Sequence, residues 1–237
     1  MLTLCQNKKN NWGFRMRKGT PEEIAQKREE IINACERLYR TMGFREITLK
    51  EIGGITSFSR PTIYNYFETK EEIFLALFQR EYDRWNEELT AVLEGNERLA
   101  KAELAEKIAA SLARREQLLK LLSMNNYDME ANSRLELLTA FKRSYGRSMS
   151  LVRMLLEKFC PDMSKSDIQN FIYTFFPFMF GVYPYAAVTE KQKAAMKDAG
   201  VNFFYHTVYE LIYSCLIRLL GDRERVSKQK KDGARTL

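Results

Sequence analysis

Apolar side chains along this chain recur at spacings of three, four and seven, the pattern of amphipathic helices, and the fold class predicted is all-α. The first stripe is Ile24, Ile31, Cys35, Leu38 and Met42. Thr20, Pro21 and Glu23 open it with a capping box and a proline in the first turn, and Gly43 follows its end. Phe44 and Ile47 then lead to two further S/T-x-x-E starts, Thr48 with Glu51 and Thr69 with Glu72. Between them, Ser59 is placed to cap a short helix with Pro61 in its first turn. From Thr69 a long helix is predicted through Phe74, Phe78, Tyr82, Trp85 and Leu89, stopping near Gly95 and Asn96. Residues 97–160 read as helical, with breaks near Asn125 and Asn126, near Asn132 and Ser133, and around Gly146. After Cys160 and Pro161, a helix carrying Ile168, Ile172, Phe175 and Met179 is expected to kink at Pro177. A polar connector over 189–200 precedes a last stripe of Phe204, Val208, Leu211, Cys215 and Leu219.

The short elements between Thr48 and Lys70 carry the most specific signal. Leu38, Phe44, Ile52, Phe58, Ile63 and Phe67 supply a small core for three helices, leaving Arg60, Thr62, Tyr64, Asn65 and Tyr66 as a polar, aromatic face without an acid. A short helix held across a supporting helix in this way suits the DNA major groove. The run Phe58-Ser59-Arg60-Pro61-Thr62-Ile63-Tyr64-Asn65-Tyr66-Phe67, followed by Thr69-Lys70-Glu71-Glu72-Ile73-Phe74, resembles the DNA-binding signature of the TetR family of bacterial transcriptional regulators. It departs at the turn, where Ser57 stands in place of the usual glycine, while Gly53 and Gly54 fall inside the supporting helix at a cost of about 1 kcal/mol each.

The resemblance implies a helix-turn-helix domain over 20–68 and a larger helical effector-binding and dimerisation domain over 69–221, of which 69–94 is a linking helix. Lys50, Arg60, Pro61 and Thr62 would approach base edges, Arg60 as a bidentate partner of guanine. Thr48, Tyr64, Tyr66 and Lys70 would hold phosphates, with hydrophobic packing the alternative for the two tyrosines. Ser59 and Asn65 complete the candidate DNA-binding set. The partners implied are double-stranded DNA with an inverted-repeat operator, a second copy of the chain and a small-molecule effector.

Charge agrees with this placement. The net +7 is concentrated at the ends: residues 1–70 hold 13 Lys/Arg against 8 Asp/Glu, residues 71–217 hold 18 against 20, and residues 218–237 hold 7 against 3. Residues 1–19 read as a flexible basic arm, able to follow phosphates, or as a leader with translation starting at Met16; residues 222–237 read as a disordered basic tail. Cys5, Cys35, Cys160 and Cys215 lack metal-ligand spacing and read as reduced thiols of a cytoplasmic bacterial protein, with Cys35 and Cys215 on core faces. Neither a metal site nor a cofactor is expected. Residues 171–188 are uncharged, the minimum length for a membrane span, but Pro177, Gly181 and Pro184 interrupt them; no membrane association is expected.

The second half is rich in aromatic and soft side chains. Met124, Tyr127, Phe141, Tyr145, Phe171, Phe175, Phe178 and Met179 are the candidate effector pocket, for an apolar or aromatic ligand or a lipophilic cation. Ile172, Phe176, Val208, Leu211, Ile212, Cys215 and Leu219 are the candidate dimer interface, since two apolar helices near the carboxyl end need cover. Two functions stay open: an effector-released repressor, and an architectural or partner-recruiting DNA-binding protein with a filled interior. An enzyme lacks support, for the chain has no nucleophile elbow, phosphate loop or metal cluster, and catalytic residues are assigned to none; His206 is expected on an apolar helix face.

Overall fold

The computed structural model describes residues 19–124 and 126–221; the basic arm, Cys5 and the basic tail expected from the sequence lie outside the described residues, apart from Gly19. The all-helical expectation holds: the described residues form eleven helices and no strand. The chain divides into two compact units on either side of the bond between Lys70 and Glu71.

The first unit contains α1 (Pro21–Thr41), α2 (Leu49–Gly54) and α3 (Arg60–Ile63). Local chemistry sets their starts. Thr20 accepts from the Glu23 amide while Glu23 accepts from the Thr20 amide, with Pro21 in the first turn of α1. The Thr48 hydroxyl accepts from the amides of Lys50 and Glu51 at the start of α2. Ser59 occupies the cap position of α3, but its hydroxyl makes no capping bond and lies 3.4 Å from the Thr62 hydroxyl instead. Ile31, Cys35, Tyr39, Ile47, Ile52, Ile63, Tyr66 and Phe67 form the buried core. Leu38, Phe44 and Phe58, expected in it, are half-buried at its edge.

In the second unit the long helix α4 (Lys70–Glu94) presents Phe74, Phe78, Tyr82, Trp85 and Leu89 inward. α5 (Lys101–Ala113), α6 (Glu116–Leu122), α7 (Asn126–Ala131) and α8 (Leu135–Phe159) follow. An unforeseen break at Arg114 and Arg115 separates α5 from α6, whereas α8 continues through Gly146. Burial of Ser144, Ser148, Leu151 and Val152 on its packed face outweighs the glycine there.

A buried polar net holds α4 to its neighbours. The Asn86 side-chain amide donates to the Ser144 carbonyl at 3.0 Å, and the Ser148 hydroxyl donates to the Asn86 oxygen at 2.6 Å. The Trp85 indole donates to Ser111 at 3.0 Å. At the start of α4, the Glu72 carboxylate, 1% exposed, accepts from the Arg134 amide (3.1 Å), Nε (2.7 Å) and Nη2 (2.8 Å), so it also serves the start of α8. Glu72, expected as the partner of Thr69, thus also reaches a partner 62 residues on.

α9 (Lys165–Ala186) begins at a Ser164–Asp167 box and runs on through Pro177 and Pro184. Its axis departs by 85° from that of α10 (Glu190–Asp198), which follows after Ala186. The supposed polar connector is therefore largely helix, capped by Thr189 and Gln192. α11 (Val208–Leu219) packs on α5 and α9. Among the described residues no single helix is long and apolar enough to cross a membrane. The uncharged run lies mostly in α9, whose Phe171, Ile172, Phe175, Phe176, Met179 and Val182 are buried while Tyr173 and Tyr185 are exposed.

Candidate nucleic-acid interface and effector cavity

The α2–α3 corner depends on close approach. A Cβ added to Gly53 would lie 3.3 Å from the Arg60 Cβ and 3.4 Å from its Cα, so glycine lets α3 cross close to α2. The turn between them is tied back to α1. Glu30 accepts from the Ser57 amide and, at 3.0 Å, from its hydroxyl, while Arg37 donates to the Ile55 carbonyl at 3.1 Å. Ser57, where the family pattern has glycine, is thus held by a carboxylate 27 residues earlier. Glu30 and Arg37 are positioning residues that sequence reasoning missed, because their partners are reached only through the turn.

This frame leaves Lys50, Ser59, Arg60, Pro61, Tyr64 and Asn65 exposed and Thr62 half-buried. Arg60 is oriented before any partner arrives: its Nη2 donates to the Tyr64 hydroxyl at 3.0 Å, and its guanidinium lies 5.8 Å from that ring's centroid. Guanidinium has five donors, so a planar edge remains for a base. Thr48 is exposed, with its hydroxyl already shared by the α2 amides and Glu51.

Two expectations here are corrected. Tyr66 is only 4% exposed and belongs to the core, because its amide bonds to the Ile63 carbonyl three residues back at 2.8 Å, winding the end of α3 tightly and carrying the side chain inward. The Lys70 ammonium donates to the carbonyls of Phe44 (2.9 Å) and Ile47 (3.2 Å) and lies 4.2 Å from the Phe44 ring centroid. It closes the segment between α1 and α2 rather than standing ready for a phosphate.

In the second unit a cavity of about 450 Å³ is lined by Leu75, Phe78 and Tyr82 of α4, Met124, Met129, Phe141 and Tyr145, and by Phe180 of α9. Tyr127, Glu130 and Lys142 stand at its solvent edge, the last two joined at 2.7 Å. The walls are a ring cluster: Phe78 lies 5.2 Å from Tyr82 and 4.8 Å from Phe141, and Tyr145 meets Tyr82 edge-on at 5.5 Å. Burial raises the Tyr82 phenol well above its ordinary pKa, reinforced by Tyr145, and burial also raises Tyr145.

Of the sequence-predicted pocket residues, Met124, Tyr127, Phe141 and Tyr145 meet here. Phe171, Phe175 and Met179 do not; they are buried in the core with at most 2% exposure. Phe178 faces a different groove. Phe78 and Tyr82 were legible as an inward stripe, yet nothing in their spacing distinguishes a core wall from a cavity wall.

That groove, about 820 Å³ and open, lies along the outer face of α11 with Phe178, His206, Tyr209, Leu211, Tyr213, Cys215 and Leu219. Val208, Leu211, Cys215 and Leu219 are half-buried, as an uncovered apolar face would be. Ile172, Ile212 and Phe176 are at most 2% exposed and satisfied within the chain, so they leave the candidate interface. His206 precedes α11, is half-exposed and lies 3.8 Å from the Glu210 carboxylate. Cys35 and Cys160 are buried, whereas Cys215 sits on the outer face; burial pushes the Cys160 and Cys215 thiols up to about 11.

Comparison with known proteins agrees with this architecture. Residues 31–77 match the profile of bacterial regulatory proteins of the tetR family, and residues 79–209 match the tetracyclin repressor-like C-terminal domain. The chain belongs to the TetR family of transcriptional regulators, with a DNA-binding helix-turn-helix domain and an effector-binding helical C-terminal domain. No curated protein matches. Among solved structures, a putative TetR-family regulator from Mesorhizobium loti aligns with a TM-score of 0.56 at 19% identity, over 86% of this chain and 98% of that one. The transcriptional regulator FadR of Bacillus subtilis, in complex with stearoyl-CoA, gives 0.54 at 18% identity over 81% and 97%. Thermus thermophilus FadR, a repressor in complex with lauroyl-CoA, gives 0.52 at 21% identity over 81% and 93%. At these identities the likeness is one of fold.

Proposed function

We propose that the protein is a homodimeric repressor that binds an inverted-repeat operator and is released by a small apolar effector, acting on the nucleoid in the bacterial cytoplasm. Residues 20–68 form the reading head, with Lys50, Arg60, Pro61 and Thr62 against base edges and Thr48 and Tyr64 against phosphates. Residues 69–221 hold the effector and the dimer contact, and 69–94 join the two functions. The dimer forms through Val208, Leu211, Cys215 and Leu219 of α11. Arg60 carries the DNA reading, being exposed and already oriented by Tyr64. The ring-lined cavity carries the effector reading and weighs against an architectural protein with a filled interior. Acyl thioesters of the kind bound by the two FadR proteins are suitable first probes for it.

Release requires the effector to bind more weakly in the DNA-bound arrangement, with a coupling of about 1–3 kcal/mol. The test of DNA reading is selection from random duplex DNA, repeated with a Lys50→Ala, Arg60→Ala double variant. An enriched inverted repeat that the variant fails to select supports the proposal. Salt-sensitive binding without enrichment favours the architectural alternative.

A further inference from the structure

We infer that the cavity beside α4 takes a ligand whose apolar body carries an uncharged carbonyl group, and that the hydroxyls of Tyr82 and Tyr145 receive it. The inference rests on the reading of this cavity as the effector site. Tyr82 is 1% exposed, forms part of the wall, and its hydroxyl makes no hydrogen bond to the described residues. The hydroxyl is not among the buried polar atoms left without a partner, so it reaches the open space of the cavity, where a ligand acceptor can meet it. Tyr145, half-buried beside it with ring centroids 5.5 Å apart, likewise bonds to none of them. The chain has therefore placed two adjacent donors on an otherwise apolar wall.

Both phenols stay protonated at neutral pH, since burial raises their pKa. They are donors, and a carbonyl oxygen, with two lone pairs, can accept from both. The rest of the wall argues against a net charge on the ligand. Phe78, Phe141 and Trp85 surround Tyr82 with ring centroids at 5.2, 6.0 and 6.4 Å, where an ionised carboxylate would be poorly solvated. The lining charges, Lys142 and Glu130, stand at the solvent edge and compensate each other at 2.7 Å. An ester, thioester or ketone fits this wall; a bare hydrocarbon leaves the hydroxyls without partners, and a carboxylate or ammonium carries uncompensated charge into the rings.

The test uses three probes built on one body: butyrophenone, butylbenzene and 4-phenylbutanoate. Each is titrated calorimetrically into the full chain and into its Tyr82→Phe and Tyr145→Phe variants, which keep the ring and whose fold is checked by thermal unfolding. The wild type is expected to bind butyrophenone tightest. Each variant should weaken that binding about fivefold, the worth of one hydrogen bond, while butylbenzene binds as before. Unchanged butyrophenone affinity in both variants, or tightest binding of 4-phenylbutanoate, overturns the inference and leaves the effector reading standing. Binding of none of the three overturns both.

Discussion

Glu72 and Arg134 form an asymmetric pair, and the asymmetry yields a quantitative prediction. The carboxylate is 1% exposed, whereas the guanidinium is 36% exposed. Replacing Arg134 with leucine leaves a buried charge with the backbone amide as its remaining bond from residue 134, at 3.1 Å. Breaking a buried pair in this way costs about 3–5 kcal/mol, and the partial exposure of Arg134 places the loss near the lower end, about 3 kcal/mol. Replacing Glu72 with leucine instead puts an apolar side chain in a buried site, and the guanidinium turns to solvent. The loss is then mainly that of the α8 cap and one partly solvated pair, about 1–2 kcal/mol. The double substitution should cost no more than the Glu72 change alone. Urea unfolding of the full chain, followed by circular dichroism, measures all three variants. A larger loss for Glu72→Leu than for Arg134→Leu, or an additive double variant, would refute the buried-charge argument.

Other substitutions test other parts of the account. Arg60→Ala should lower affinity for the selected operator by about 1–3 kcal/mol while changing nonspecific binding little, measured by fluorescence anisotropy at two salt concentrations. Asn86→Leu removes the bonds to Ser144 and Ser148, although Ser148 keeps the Ser144 carbonyl at 3.3 Å; about 2–3 kcal/mol should be lost in urea unfolding. The Cys215 thiol, pushed up to about 11 by burial, should be about 0.1% thiolate at pH 8. Because thiolate is the reacting form and the proposed dimer covers this face, its iodoacetamide labelling at protein concentrations where the chain is monomeric, read by mass spectrometry, should rise about tenfold per pH unit between pH 8 and 10; rapid labelling at pH 8 would contradict this.

What the sequence disclosed was chiefly local chemistry. The caps of Thr20 and Thr48, the inward stripe of α4 and the exposed Arg60 follow from spacings of a few residues. Tyr66 was misplaced because helical periodicity fails where the four-residue α3 passes into tight turns. Arg134, a partner of Glu72, lies 62 residues away, beyond any local rule. α9 is apolar on nearly every side, so its pattern does not say which residues face the chain's own core; Ile172 and Phe176 do so. α10 buries no residue and shows little apolar stripe, but the Thr189–Gln192 box was the available signal. Cavity walls were only partly legible, since Phe78 and Tyr82 satisfy the same spacing whether the space beside them is filled or open.

The central claim joins operator binding to occupation of the cavity. Its most direct test is the affinity for the selected operator duplex, measured with the protein free and saturated with lauroyl-CoA, coenzyme A alone serving as the control. A coupling of 1–3 kcal/mol predicts that operator affinity falls about 5- to 150-fold with the acyl thioester and stays unchanged with coenzyme A. Calorimetrically saturated protein that holds its operator as tightly as the free form would contradict release through this cavity; a chain that does not bind the thioester would contradict an acyl thioester as the effector.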